Sequence, residues 1–445
     1  AFLLASGSCL LIGAVVSRFA VRLPSAGSLY TYTVDGLGSF AGFVVGWTYS
    51  VALIIGGPAV LAGFAVFTSL VMRNVGAAGL LGQWWLWFAA GVVVYFALSW
   101  FGIEFSTRTQ LVFSAATVAI LLLLAVVIIG QGGAAGNTVD AFRPAAAGVT
   151  WPLVIAGMAF GILSFTGFET AAVLGEETRQ PRRAIPAAVI GSVVIGGVFF
   201  VIVTYATSIG YGVREATTAW PKSAAGIAAL ADRYAAGLSN WVLLAGGLSA
   251  LFCGLGLHTA ATRTLYVMGR EGVLPSALGR THPQRRTPHV AIVTNLVLMI
   301  AVAAAIIGAT AQAARDTVGA TPGPLSAGFY LFAEGLTIVA PLVMASYALL
   351  SVAGIRAALR RGPEPVRSGP WPVAVAMAAL AASSAAVFGS LYYSFVPAAP
   401  GAGIPGPYRA VPAVAVAVVA AGGAIAVMLR RRRPDAWRAM GAVFE

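Results

Sequence analysis

Residues Trp151–Pro186 read WPLVIAGMAFGILSFTGFETAAVLGEETRQPRRAIP. The run from Trp151 to Gly175 is apolar and long enough to cross a bilayer as a helix. Its middle nevertheless holds Ser164, Phe165, Thr166, Gly167, Phe168 and Glu169. A glycine beside hydroxyls and a carboxylate at membrane depth is costly unless it lines a polar cavity. The run then ends abruptly in the charged segment GEETRQPRR. The pattern predicts a broken transmembrane helix: a half-helix, an unwound joint at a binding site near Gly167, and a second half-helix running to the charged end. The alternative is an ordinary span, with the glycine as a packing contact and Glu169 hydrogen-bonded to a neighbour.

Composition supports the membrane setting. The chain has 445 residues, 59% hydrophobic and 9% charged, against about 25% charged in a soluble domain. An all-α polytopic membrane protein follows, with the lipid bilayer as its first partner. The net charge of +13 would suit nucleic acid, but the basic residues sit in short loops between apolar runs, which argues against that partner. Cys9 and Cys253 both lie in apolar runs and are expected to be buried thiols, with no disulfide framework and no metal spacing. No phosphate loop, zinc pair or flanked nucleophile is present, so neither an enzyme nor a cofactor is expected.

Eleven spans are expected: 1–17, 38–71, 84–101, 111–130, 151–175, 185–211, 241–268, 290–309, 325–353, 371–395 and 408–429. Trp84, Trp85, Trp151, Trp241 and Trp371 stand at span ends, as interfacial anchors do. Of the 27 basic residues, 20 fall on the side that holds Arg179, Arg263 and the Arg430–Arg433 tail, and seven on the other. The positive-inside rule makes the first side cytosolic, with the C-terminus inside and Ala1 outside. Because the chain begins inside an apolar run without Met or a signal peptide, upstream residues including one further span are expected.

Three motifs on the arginine-rich side carry a resemblance. They are RFAVRLPSAGSLYTYTVDGLG (18–38), GFETAAVLGEETRQPRRAIP (167–186) and ATRTLYVMGREGVLPSALGRTHPQRRTPHVA (261–291). In the first, Pro24 and Gly27 suit a tight turn, and the residues after it an interfacial amphipathic helix. In order and spacing the set resembles the amino acid–polyamine–organocation (APC) superfamily of permeases, over essentially the whole chain. The resemblance implies a LeuT-like inverted-repeat transporter fold in which the eleven spans are helices two to twelve. Residues 1–130 would be the remainder of the first repeat and 151–353 the second. Two additional helices would occupy 371–429, and a basic cytosolic tail 430–445.

The candidate site follows from the joint. Unwound carbonyls suit an ammonium group, and a half-helix N-terminus suits a carboxylate. Leu163, Ser164, Phe165, Thr166, Gly167, Phe168 and Glu169 are therefore substrate-binding candidates. Glu169 is read either as a site or proton-carrying group or as a structural hydrogen-bonder. The resemblance places Leu163 where relatives often carry an aromatic gate; either Phe165 or Phe168 substitutes for it, or the occluding contact is weaker. It sets Leu257 at a pocket-lining position beside His258, although a lone buried histidine is more often a satisfied core residue. It also sets Glu334 on a helix bordering the pocket, where a carboxylate would favour a cationic substrate or carry a proton. Thr117 aligns with a lysine that some proton-coupled relatives use in place of a sodium ion. Ser114 and Thr117 are thus ion-coupling candidates, or they bond their own backbone. Glu176 and Glu177 can pair with Arg179 or Arg263 as a cytosolic gate, or form a static solvated cluster.

The function expected is a secondary active transporter of amino acids or related amines in a bacterial-type plasma membrane, driven by H+ or Na+ or working by exchange. A non-transporting sensor or channel-like protein with the same fold is the alternative. Sequence leaves the oligomeric state open.

Overall fold

The computed structural model describes residues 1–23, 27–101, 103–134, 136–174, 178–216, 225–316, 323–360, 370–392, 394–396, 406–438 and 440. Pro24, Glu176 and Glu177 lie outside the described residues. Among those described there is no strand. The helices are α1 (Phe2–Arg22), α2 (Leu29–Leu37), α3 (Ser39–Asn74), α4 (Trp84–Phe101), α5 (Ile103–Gly130), α6 (Trp151–Phe165) and α7 (Pro181–Tyr211). They continue with α8 (Gly226–Tyr234), α9 (Ser239–Arg270), α10 (His289–Asp316), α11 (Gly323–Leu359), α12 (Pro370–Tyr392), α13 (Val411–Arg432) and α14 (Pro434–Arg438).

Eleven helical segments of the described chain are long and apolar enough to cross a membrane, each at an expected place. The protein is a multi-pass membrane protein. α3 runs unbroken through Gly56, Gly57 and Pro58. α8, an amphipathic nine-residue helix between two spans, is an element the hydropathy pattern did not announce.

α3 is the pillar. Most of its apolar stretch is buried, whereas α4, α5, α7 and α13 turn most of theirs outward. α9 and α11 pack along it, α1 packs against α7, and α12 bridges α11 and α6. Lipid tails are as apolar as leucine, so close contact between small residues holds such helices together. At the α11–α3 crossing, a methyl on Gly335 would stand 2.4 Å from the Ala59 methyl. At the α9–α3 crossing, one on Gly254 would stand 3.2 Å from the Gly57 carbonyl oxygen.

On the arginine-rich side, α2 forms as expected but is largely buried against α3 and α11. Its Tyr30 hydroxyl donates to the Glu271 carboxylate at the end of α9. Burial, and then the Glu271 charge, push the Tyr30 ionisation well above the usual phenol range, so it remains a donor. Arg360 donates to the Asp35 carbonyl at 2.9 Å, and Arg433 to the Gly272 carbonyl at 3.0 Å.

Two expectations are corrected. Cys9 is buried, but the Cys253 side chain on α9 is exposed. Trp85, Trp151, Trp241 and Trp371 are exposed at span ends, but Trp84 is buried because its indole fills the space left by Gly328 on α11.

Gly335→Val overpacks the α11–α3 crossing. It should destabilise the protein by about 1–3 kcal/mol, read as an earlier unfolding transition in detergent, whereas Gly191→Val, at a glycine with open space around it, should not.

Candidate functional site

The break is where the sequence placed it. α6 ends at Phe165, Thr166 leaves the helical region with ψ 128°, and Gly167 takes φ +115°. That φ is open to glycine and strained for any side chain. The chain then continues as a 3-10 segment, Phe168–Leu174, rather than the second α-helical half expected. Nothing stands within 4 Å of the position a Gly167 side chain would take, so the joint opens onto free space.

The backbone groups released there find local partners. The Gly167 N–H donates to Glu169 Oε2 at 3.1 Å. The Gly167 carbonyl accepts from the Thr170 N–H at 3.0 Å and the Thr170 hydroxyl at 2.6 Å. The other Glu169 oxygen accepts from the Tyr49 hydroxyl of α3. Tyr347 of α11 and Cys9 of α1 border the same fully buried carboxylate. Glu169 thus pins the joint to the central pillar and points away from the open side.

The other joint residues divide accordingly. Phe165 is buried against α7, its ring 5.1 Å from that of Phe200. Phe168 is buried between α1 and α11, its ring 5.9 Å from that of Tyr347. Both are held by packing, which leaves Leu163, half-buried, as the apolar group at the rim. Ser164 is exposed and donates to its own backbone at Phe160, 3.0 Å away. The Thr166 hydroxyl has no hydrogen-bond partner among the described residues. The joint therefore holds an enclosed Thr166 hydroxyl beside the open space at Gly167, whose own backbone groups are paired.

Leu257 joins this core: its Cδ1 would stand 3.2 Å from a methyl on Gly56 of α3. His258, one residue on, is turned away toward α4 and α10. Asn295 Nδ2 lies 2.8 Å from His258 Nδ1 and donates to the His258 carbonyl at 3.0 Å. The ring stacks near Tyr95 at 6.0 Å. Asn295 was not among the sequence candidates, because a single amide in an apolar run carries no spacing signal.

Thr117 is buried and donates to the Ala245 carbonyl of α9 at 3.3 Å, about 18 Å along that helix from Leu257. Ser114 is exposed. Arg179 is exposed and Arg263 half-buried; the described hydrogen bonds on that side include Tyr30–Glu271, Arg360 to the Asp35 carbonyl and Arg433 to the Gly272 carbonyl. Glu334 is buried on α11, thirteen residues or about 20 Å before Tyr347. The structure does not bring it to the joint.

A family model described as an amino acid permease matches residues 1–431. The low-affinity putrescine importer PlaP of Escherichia coli is 28% identical over 294 residues, covering 63% of this chain and 60% of the importer. The branched-chain amino acid permease BcaP of Bacillus subtilis is 25% identical over 311 residues, covering 65% and 63%. The human cationic amino acid transporter 4 is 27% identical over 303 residues, covering 64% and 46%. The chain thus spans less than two thirds of the length of each of these relatives. Among solved structures, a Na+-coupled sialic acid symporter aligns over 86% of this chain and 82% of its own, at 14% identity and a TM-score of 0.47.

Tyr49→Phe and Glu169→Gln should be non-additive in a double-mutant cycle of unfolding, by about 0.5–3 kcal/mol. Additive effects would show that the pair does not hold the joint.

Proposed function

The chain belongs to the amino acid permease family, and on that ground we propose that it carries amino acids or related amines across the membrane as a secondary active transporter. The observation that supports this reading best is the opening at Gly167, a helix broken in mid-span beside free space. A backbone break inside lipid persists where it lines a cavity, and a transporter uses such a break to grip a solute. The solute's ammonium group enters the open space beside Gly167, with Leu163 at its rim. The relatives named for putrescine, branched-chain and cationic amino acids support the range of amines and amino acids.

The movement is alternating access: α6 and its 3-10 extension rock against the scaffold built on α3. The two inverted repeats, 1–130 and 151–353, supply the halves that move, and the helices of 371–429 flank them. The arginine asymmetry supports a cytosolic C-terminus in a bacterial inner membrane. Glu176, Glu177, Arg179 and Arg263 are retained as a cytosolic gate, and Ser114 and Thr117 as coupling candidates for H+ or Na+. Exchange is equally compatible.

The test is uptake of labelled leucine and putrescine into proteoliposomes under imposed H+ and Na+ gradients. Saturable accumulation against the solute gradient supports the proposal. Binding without flux supports a sensor, and flux that only dissipates a gradient supports a channel-like protein. Gly167→Leu should abolish solute binding by filling the joint, while Gly191→Leu should leave it intact. Unchanged affinity in Gly167→Leu places the solute elsewhere.

A further inference from the structure

Glu334 is 2% exposed, and its Oε1 has no hydrogen-bond partner among the described residues. It lies about 10 Å inside the span that begins at Ala327. A bare carboxylate at that depth is costly without a companion, and no described ion pair supplies one.

Its surroundings are oxygen-rich. Tyr330, Glu334 and Thr337 stand at i, i+4 and i+7 of α11, so successive turns present three oxygen-bearing side chains on one face. Tyr408, from the 3-10 turn Gly406–Ala410, closes that face. That turn packs against α11 and sets Tyr408 within electrostatic reach of Glu334, Tyr330 and Thr337. Thr337 directs its own proton to the Ala333 carbonyl at 2.8 Å, so its oxygen acts as an acceptor here. This face is not the one that meets the pillar, since Gly335, a residue further on, packs against Ala59.

We propose that Glu334, Tyr330, Thr337 and Tyr408 form a binding site for a small monovalent cation, separate from the joint at Gly167. One carboxylate among hydroxyl oxygens is a hard, singly charged donor set. It suits Na+ or a primary ammonium, which share that chemistry. Among the described residues no group of three or more His, Cys, Asp or Glu exists that would suit a transition metal or a divalent ion.

Thermal unfolding in nanodiscs, followed by tryptophan fluorescence in choline chloride, tests this. One arm titrates NaCl and the other methylammonium chloride, and the arm that responds identifies the cation. The native protein should show a saturable rise in midpoint. In Glu334→Gln the apparent affinity should fall about ten- to a hundred-fold with the cation-free midpoint retained. Thr337→Val should weaken it less, and serves as the variant if Glu334→Gln does not fold. Gly167→Leu should leave the response intact, so failure of the transport reading and failure of this one are distinguishable. No response to either salt, or an equal response in the Glu334 and Thr337 variants, overturns the proposal.

Discussion

Inside a bilayer no water is available to satisfy a peptide group, so every break in a helix must supply its own partners. The chain meets this constraint at Gly167 with two nearby side chains. Glu169 takes the released N–H, and Thr170 takes the released carbonyl. Because Glu169 also accepts from Tyr49 on α3, the same carboxylate ties the irregular segment to the most buried helix of the molecule. The joint can stay open on its other side because it is fastened on this one.

This arrangement separates two roles that a buried carboxylate could combine. Glu169 is enclosed by α1, α3 and α11 and positions the joint. The open side of the joint is at Gly167, where nothing stands within 4 Å of the position a side chain would take. If α6 and its extension shift against α3, the Tyr49–Glu169 bond crosses the boundary and must break or follow. That gives the residue a mechanical part in any such movement.

Other polar groups act as cross-links between apolar helices. Asn295 fastens α10 to His258 on α9, and Tyr30 fastens α2 to the end of α9. Hydrogen bonds of this kind between membrane helices contribute about 0.6–2 kcal/mol each. They also fix which face of α9 meets α3, and so where Leu257 lies. His258 therefore helps set the rotation of α9.

Much of this was legible in the sequence. Hydropathy over some twenty residues is a local property, and it located all eleven spans. The break was legible because a glycine, two hydroxyls and a carboxylate together are incompatible with a plain lipid-facing span. What the sequence could not determine was rotation. A transmembrane helix is apolar on nearly every side, so periodicity does not mark an inner face as it does in water. Whether Glu169 faces the open side of the joint or the pillar, and whether His258 faces α3 or α4 and α10, depend on turns of about 100° per residue about the helix axis. The tertiary structure decided these through glycine contacts such as Gly335 on Ala59 and Gly254 on Gly57, where close backbone approach leaves a helix no freedom to rotate.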